Sequence, residues 1–230
     1  MTTISNALQA VRERIARAAA QCGRQPASIA LLAVSKTFGP DAIRVAYAAG
    51  QRAFGESYAQ EALPKIAALS GLDIEWHFIG PLQSNKTKPI AQHFAWVHGV
   101  ERAKIAQRLS EQRPPGLPPL NICLQVNVSG EASKSGVAPA QVAALARTVA
   151  ALPRIKLRGL MAIPAPAEDV ARQRAAFRAV RELFEQLNAQ GFTLDTLSMG
   201  MSSDLEAAIQ EGATIVRVGS AIFGERRNPL

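Results

Sequence analysis

Lys36 closes the apolar run Ala30-Leu31-Leu32-Ala33-Val34-Ser35, which reads as a buried parallel strand delivering an amine at its C-terminal end. Partial desolvation there favours the neutral amine, the form that attacks a carbonyl carbon to make a Schiff base. A strand-end lysine can equally snorkel to solvent, so Lys36 alone assigns nothing. The far end of the chain shifts the balance. Ser198-Met199-Gly200-Met201-Ser202-Ser203-Asp204 enters a helix with hydroxyls at its start, and Arg217-Val218-Gly219-Ser220 makes a small, flexible turn after a strand. Backbone N–H groups at such starts bind anions, although each stretch taken singly is ordinary capping chemistry.

An amine at one strand end and a phosphate cradle seven strands later suit an aldehyde-bearing phosphorylated cofactor. Pyridoxal 5'-phosphate (PLP) fits: Lys36 forms the Schiff base, Ser202, Gly219 and Ser220 hold the phosphate, and Arg217 faces the pyridine nitrogen. Met161 and Ser198, at the ends of two further strands, are additional cofactor-binding candidates. An arginine opposite the ring nitrogen does not release its proton, so it leaves that nitrogen unprotonated and the ring a weak electron sink.

The elements that must position these groups follow in order. Apolar residues at Ile4, Leu8, Val11 and Ile15 give a helix over 4–22 before the first strand. Strands are expected over 29–35, 53–55, 74–80, 95–98, 121–128, 155–162, 194–199 and 214–218. Helical patterns fall between them, including a long one over 168–190. Eight strands alternating with helices predict an α/β fold, a single (β/α)8 TIM barrel with an extra N-terminal helix, occupying residues 1–230 as one domain. No G-x-G-x-x-G follows the first strand, so the dinucleotide fingerprint of an open doubly wound sheet is missing. In a barrel, function gathers at the C-terminal strand ends, where Lys36, Glu56, Ser57, His77, Asn127, Met161, Ser198 and Arg217 fall. His77, after Trp76 in an apolar strand, reads as a packed histidine, and His93 and His98 as surface or loop residues. The loop 129–136 is polar and glycine-containing, suited to moving over a site.

Composition is that of an ordinary folded protein: 230 residues, 48% hydrophobic, 19% charged. Net charge is +8, which admits an anionic partner, but the 26 Lys and Arg are spread among 18 acids without interleaved aromatics. Nucleic acid is therefore a weak reading, and the charge serves equally to attract a phosphorylated small molecule. Cys22 and Cys123 form no metal or redox spacing and read as buried, inert thiols. No apolar run spans a bilayer and Met1 to Arg24 does not resemble a signal peptide, so a cytoplasmic protein is expected. A monomer is the expected state.

Six motifs carry a resemblance: Leu32-Ala33-Val34-Ser35-Lys36, Phe54-Gly55-Glu56-Ser57-Tyr58, Trp76 through Lys86, Gly159-Leu160-Met161-Ala162-Ile163, Leu197 through Ser202, and Val216-Arg217-Val218-Gly219. Together they resemble the pyridoxal phosphate homeostasis protein family across nearly the whole chain. The resemblance implies a barrel similar to the N-terminal domain of alanine racemase, with PLP on Lys36. It also implies a protein without established turnover, which binds the cofactor, hands it on to PLP-dependent apo-enzymes and affects amino-acid and keto-acid balance. The family commonly has Asn where this chain has Ser57. The alternative is a PLP-dependent amino-acid racemase, which needs a second proton-transfer group. In alanine racemases a tyrosine from another domain supplies it, whereas here Tyr47 and Tyr58 fall in predicted helices.

Overall fold

A computed structural model describes residues 3–130 and 135–225. Among them, eight parallel strands close into a barrel in sequence order: β1 Ala30–Val34, β2 Ala53–Glu56, β3 Glu75–Phe78, β4 Trp96–Val100, β5 Leu120–Gln125, β6 Ile155–Met161, β7 Thr196–Ser198 and β8 Ile215–Val218. β1 closes the ring on β8, with Leu32 opposite Arg217 and Ala33 opposite both Val218 and Phe54. That register brings the Lys36 turn beside the Gly219 loop although they lie at opposite ends of the sequence.

The helices follow from the apolar stripes. α1 Ile4–Gln21 starts at a Thr3 side chain that accepts the Asn6 N–H at 3.2 Å, and buries Leu8, Val11, Ile15, Ala18 and Ala19. It packs on α2 Pro40–Ala48, α8 Leu205–Gln210 and α9 Ser220–Phe223, across the β1/β8 closure. α3 Ala59–Ala68, α4 Thr87–His93, α5 Ala103–Gln112, α6 Val142–Ala150 and α7 Val170–Ala189 complete the outer ring. Between ring and barrel lies one continuous apolar core in which Ala33, Phe54, Val97, Leu124, Leu160 and Val216 meet helix residues such as Ile43, Ile90, Leu109 and Phe177. The inner face differs: Trp96, Cys123 and Met161 form a small cluster of their own inside the barrel.

Five expectations are corrected. His98 is neither surface nor loop but fully buried in β4, because alternation along the strand turns it into the barrel. Cys22 is exposed at the C-cap of α1, one residue past the helix, while Cys123 is buried as expected. The turn after β8 is the short helix α9, with Gly219 at its N-cap. Tyr58 precedes α3 rather than lying within it, and is 58% exposed. β5 ends at Gln125, three residues early, with Val126 continuing only as a single bridge to Val137. Residues 131–134 of the 129–136 loop lie outside the described residues.

Candidate functional site

A cavity of about 330 Å³ opens at the C-terminal ends of the strands, in the size range of small-molecule sites. Val34 at the end of β1, Lys36 after it, Ser57 after β2, Ile79 after β3 and Ile163 after β6 line it. The β7 loop adds Met201, Ser202 and Ser203, and β8 adds Arg217, Gly219 and Ser220. Lys36, Ser202, Arg217, Gly219 and Ser220 are thus brought to one cavity from positions up to 184 residues apart. Met161 and Ser198 are fully buried beneath the cavity rather than on its wall.

The Lys36 turn is held from below by a buried ionic network. Ser35 donates its hydroxyl to Glu56 at 2.6 Å. Lys65 of α3 donates to both Glu56 oxygens at 3.0 and 3.1 Å, to the Ser35 carbonyl at 3.0 Å and to Glu61. Glu61 in turn accepts the Thr37 N–H. Thr37 sits at φ 71°, a left-handed conformation unfavourable for a β-branched residue, which the bond to Glu61 holds in place. Burial pushes the Glu56 carboxyl above its usual range, with Lys65 and Ser35 pulling it back. Backbone and side-chain bonds therefore grip Ser35 and Thr37, the neighbours of the amine-bearing residue on either side.

On the opposite wall, Gly200 at φ 93° lets the β7 loop turn tightly, since a Cβ there would stand 2.6 Å from that of Ala208. Asp204 accepts the Met201 N–H at 2.6 Å, and Arg14 of α1 reaches the Ser202 carbonyl at 3.1 Å while gripping Glu206 at 2.9 and 3.0 Å. The extra N-terminal helix thus braces the loop that presents Ser202, whose hydroxyl stands 3.4 Å from that of Ser220. Gly219 keeps its part of the wall bare: a Cβ would come within 3.2 Å of the Val34 carbonyl.

Arg217 is buried at the cavity floor. It donates to the Ser198 carbonyl, to the Ser198 hydroxyl at 2.8 Å and to the Ala162 carbonyl at 2.9 Å. Burial pushes its guanidinium down to about 10, so it stays cationic at neutral pH. Cys123 below it is pushed up to about 12 by burial and remains a thiol.

Sequence reasoning named Lys36 and Arg217 but missed what holds them. Lys65 drew no notice because a lysine inside an amphipathic helix usually faces water; the Glu61/Lys65 i,i+4 pair was the available signal. His77 and His98 are both buried and held below 6.5 by desolvation, His98 strongly so. Groups that are neutral when folded and free to protonate when unfolded make the unfolded chain bind more protons at low pH, so their stabilising contribution is lost as pH falls through and below 6.5. Denaturant unfolding is expected to lose up to about 1.4 kcal/mol per pH unit per histidine below that point, and a His77→Asn, His98→Asn double variant to lose the part of this slope that the two histidines supply.

The comparisons with known proteins agree with this geometry. Residues 7–227 match the family model described as alanine racemase, N-terminal domain. A Pseudomonas aeruginosa protein named pyridoxal phosphate homeostasis protein is 63% identical over 226 residues, covering 98% of this chain and 97% of its own length. One of the same name from Escherichia coli is 52% identical over 229 residues, covering 98% of each chain. Among solved structures, PipY of Synechococcus elongatus, described with PLP bound, superposes with a TM-score of 0.81 at 40% identity over 91% of this chain and 100% of that one. An alanine racemase of Clostridium difficile shares the fold alone, with a TM-score of 0.76 at 12% identity, this chain spanning 56% of it. The chain belongs to the alanine racemase N-terminal domain family and, within it, to the pyridoxal phosphate homeostasis proteins.

Proposed function

We propose that this chain, as one cofactor-binding domain over its whole length, binds PLP in the cavity around Lys36 and serves PLP homeostasis by storing the cofactor and handing it on to PLP-dependent apo-enzymes, as a monomer in the cytoplasm. The observation that carries the reading is the convergence, on one cavity, of an amine, a buried guanidinium and a pair of hydroxyls beside a bare glycine. The donor set fits the group: a nucleophile, a cation for an aromatic nitrogen and an anion cradle. When bound, PLP supplies an aldehyde that a neutral amine captures with loss of water and that another amine can recapture, chemistry suited to both holding and release.

The chain's own residues do the rest. Lys36 presents the amine from a turn that Glu61 and Lys65 fix. Ser202 and Ser220 donate hydroxyls towards phosphate, with Arg14 steadying the Ser202 backbone. Arg217, already spending three hydrogen bonds on Ser198 and Ala162, is pinned as a permanent cation at the ring end and yields no proton there. A racemase needs a second proton-transfer group across from the lysine. Tyr58, the candidate by type, lines a neighbouring cavity with Gln83 and Lys86 instead of the one holding Lys36.

Comparing PLP with pyridoxal, which lacks the phosphate, tests the cradle. The wild-type protein is expected to prefer PLP, and a Ser202→Ala, Ser220→Ala double variant to weaken PLP binding by about tenfold or more while leaving pyridoxal unaffected. Equal affinity for the two ligands in the wild-type protein would overturn the phosphate assignment.

A further inference from the structure

A single file of hydrogen bonds runs through the barrel from its lower face to the cavity floor. Glu75, at the start of β3 with its side chain half exposed, meets His77 Nε2 at 2.8 Å. His77 Nδ1 meets His98 Nε2 at 2.9 Å, and His98 Nδ1 meets the Ser198 hydroxyl at 2.7 Å. That hydroxyl meets Arg217 Nη1 at 2.8 Å.

The two ends fix the direction of every bond between them. An arginine only donates and an ionised carboxylate only accepts. His77 therefore carries its proton on Nε2 and donates to Glu75, and, with both rings neutral, its bare Nδ1 accepts from His98 Nε2–H. That leaves His98 Nδ1 bare, so Ser198, which accepts from Arg217, gives its own proton to His98 Nδ1. With the tautomers reversed, His77 would turn a bare nitrogen towards the carboxylate. Burial favours the neutral form of both rings, and the bond from His77 keeps the Glu75 carboxyl below its usual range. His77 is further locked by stacking on Trp96, centroids 5.4 Å apart and planes 5° from parallel.

We propose that Glu75, His77 and His98 are positioning residues that act through Ser198, a one-way relay that fixes the Arg217 guanidinium and carries a change at the barrel's lower face to the ring end of the cofactor site. The charged and titratable groups facing the relay are few. Arg158 lies 4.6 Å over the Trp96 ring and is paired with Asp195 at 2.8 Å, Cys123 is a thiol, and Asp204 acts on Arg217 from the β7 loop. The extension to the cofactor rests on the function proposed above; the relay itself does not.

Nitrogen-15 NMR of the unloaded protein tests the relay directly. Wild type is expected to show His77 and His98 as neutral Nε2–H tautomers at pH 7, with the exposed His93 as the third imidazole signal to be told apart from them. Glu75→Leu, at a half-exposed site, removes the acceptor and is expected to move the His98 and Arg217 Nε signals although Glu75 touches neither; Glu75→Gln, which still accepts, is expected to restore them. In the loaded protein, Glu75→Leu is expected to shift the absorbance of bound PLP and weaken its binding about fivefold, and Glu75→Gln to reverse both. An Nδ1–H or charged His98 in wild type, or a His98 signal unmoved in Glu75→Leu, overturns the relay. Wild-type protein that takes up no PLP overturns the cofactor reading and the extension built on it, while the NMR result still decides the relay.

Discussion

Lys36→Ala is expected to yield a folded barrel that retains no covalent PLP. The loss is all-or-none because, among the described residues, no other side chain lining the cavity carries a primary amine: its polar groups besides Lys36 are serine hydroxyls and the Arg217 guanidinium. Stability should change by about 1 kcal/mol, since Lys36 lies in a turn on the cavity wall and is only partly buried. Visible absorbance after addition of PLP, followed by borohydride reduction and mass measurement, checks both halves. A full-mass adduct on the variant would place the cofactor on another lysine. Residual reversible binding through Ser202, Ser220 and Arg217 is compatible with the account and separates the cradle from the amine.

The second large effect concerns stability. Lys65→Met keeps the length and apolar stem of the side chain but leaves Glu56, which is fully buried, without its cation. Removing one partner of a buried ion pair costs about 3–5 kcal/mol, far more than the net worth of the pair, because the orphaned charge stays desolvated. The sign with pH follows from Glu56. Its folded pKa already lies above 4.5 and rises further without Lys65, so the carboxyl takes up a proton more readily in the folded than in the unfolded chain. The destabilisation is therefore largest at alkaline pH and shrinks as pH falls towards 4.5. Urea unfolding of variant and wild type at pH 8 and pH 5.5 measures this; an equal loss at both would refute it. Glu56→Gln, Lys65→Met, which removes both charges, should recover much of the loss. Because Lys65 also holds Glu61, and Glu61 holds Thr37, the single variant should bind PLP less tightly even where it remains folded.

How much of this could be read from residues alone depended on whether the governing contacts were local. The strands announced themselves because a sheet buried on both faces leaves continuous apolar runs such as Leu31 to Val34 and Ile122 to Leu124, and the helices because each buries one stripe. Lys36 and Arg217 were legible because barrel strands deliver their chemistry at one end. The network beneath Lys36 was not, since the Glu61/Lys65 spacing marks an ion pair on α3 but not that the helix turns this lysine inward against β2. His98 was misread for a related reason: in Trp96-Val97-His98-Gly99-Val100, strand alternation places the ring inside the barrel, but only the neighbouring strands, with His77 and Ser198, make a buried histidine affordable. Met161 and Ser198, named from their strand-end positions, lie one layer lower, where Ser198 acts on Arg217 rather than lining the cavity.

The central claim is that Lys36 carries PLP. Wild-type protein loaded with PLP, reduced with borohydride, digested and mapped by peptide mass tests it most directly. The account predicts one modified lysine, in the peptide containing Ser35 and Lys36. A modification elsewhere, or none after loading, would contradict it.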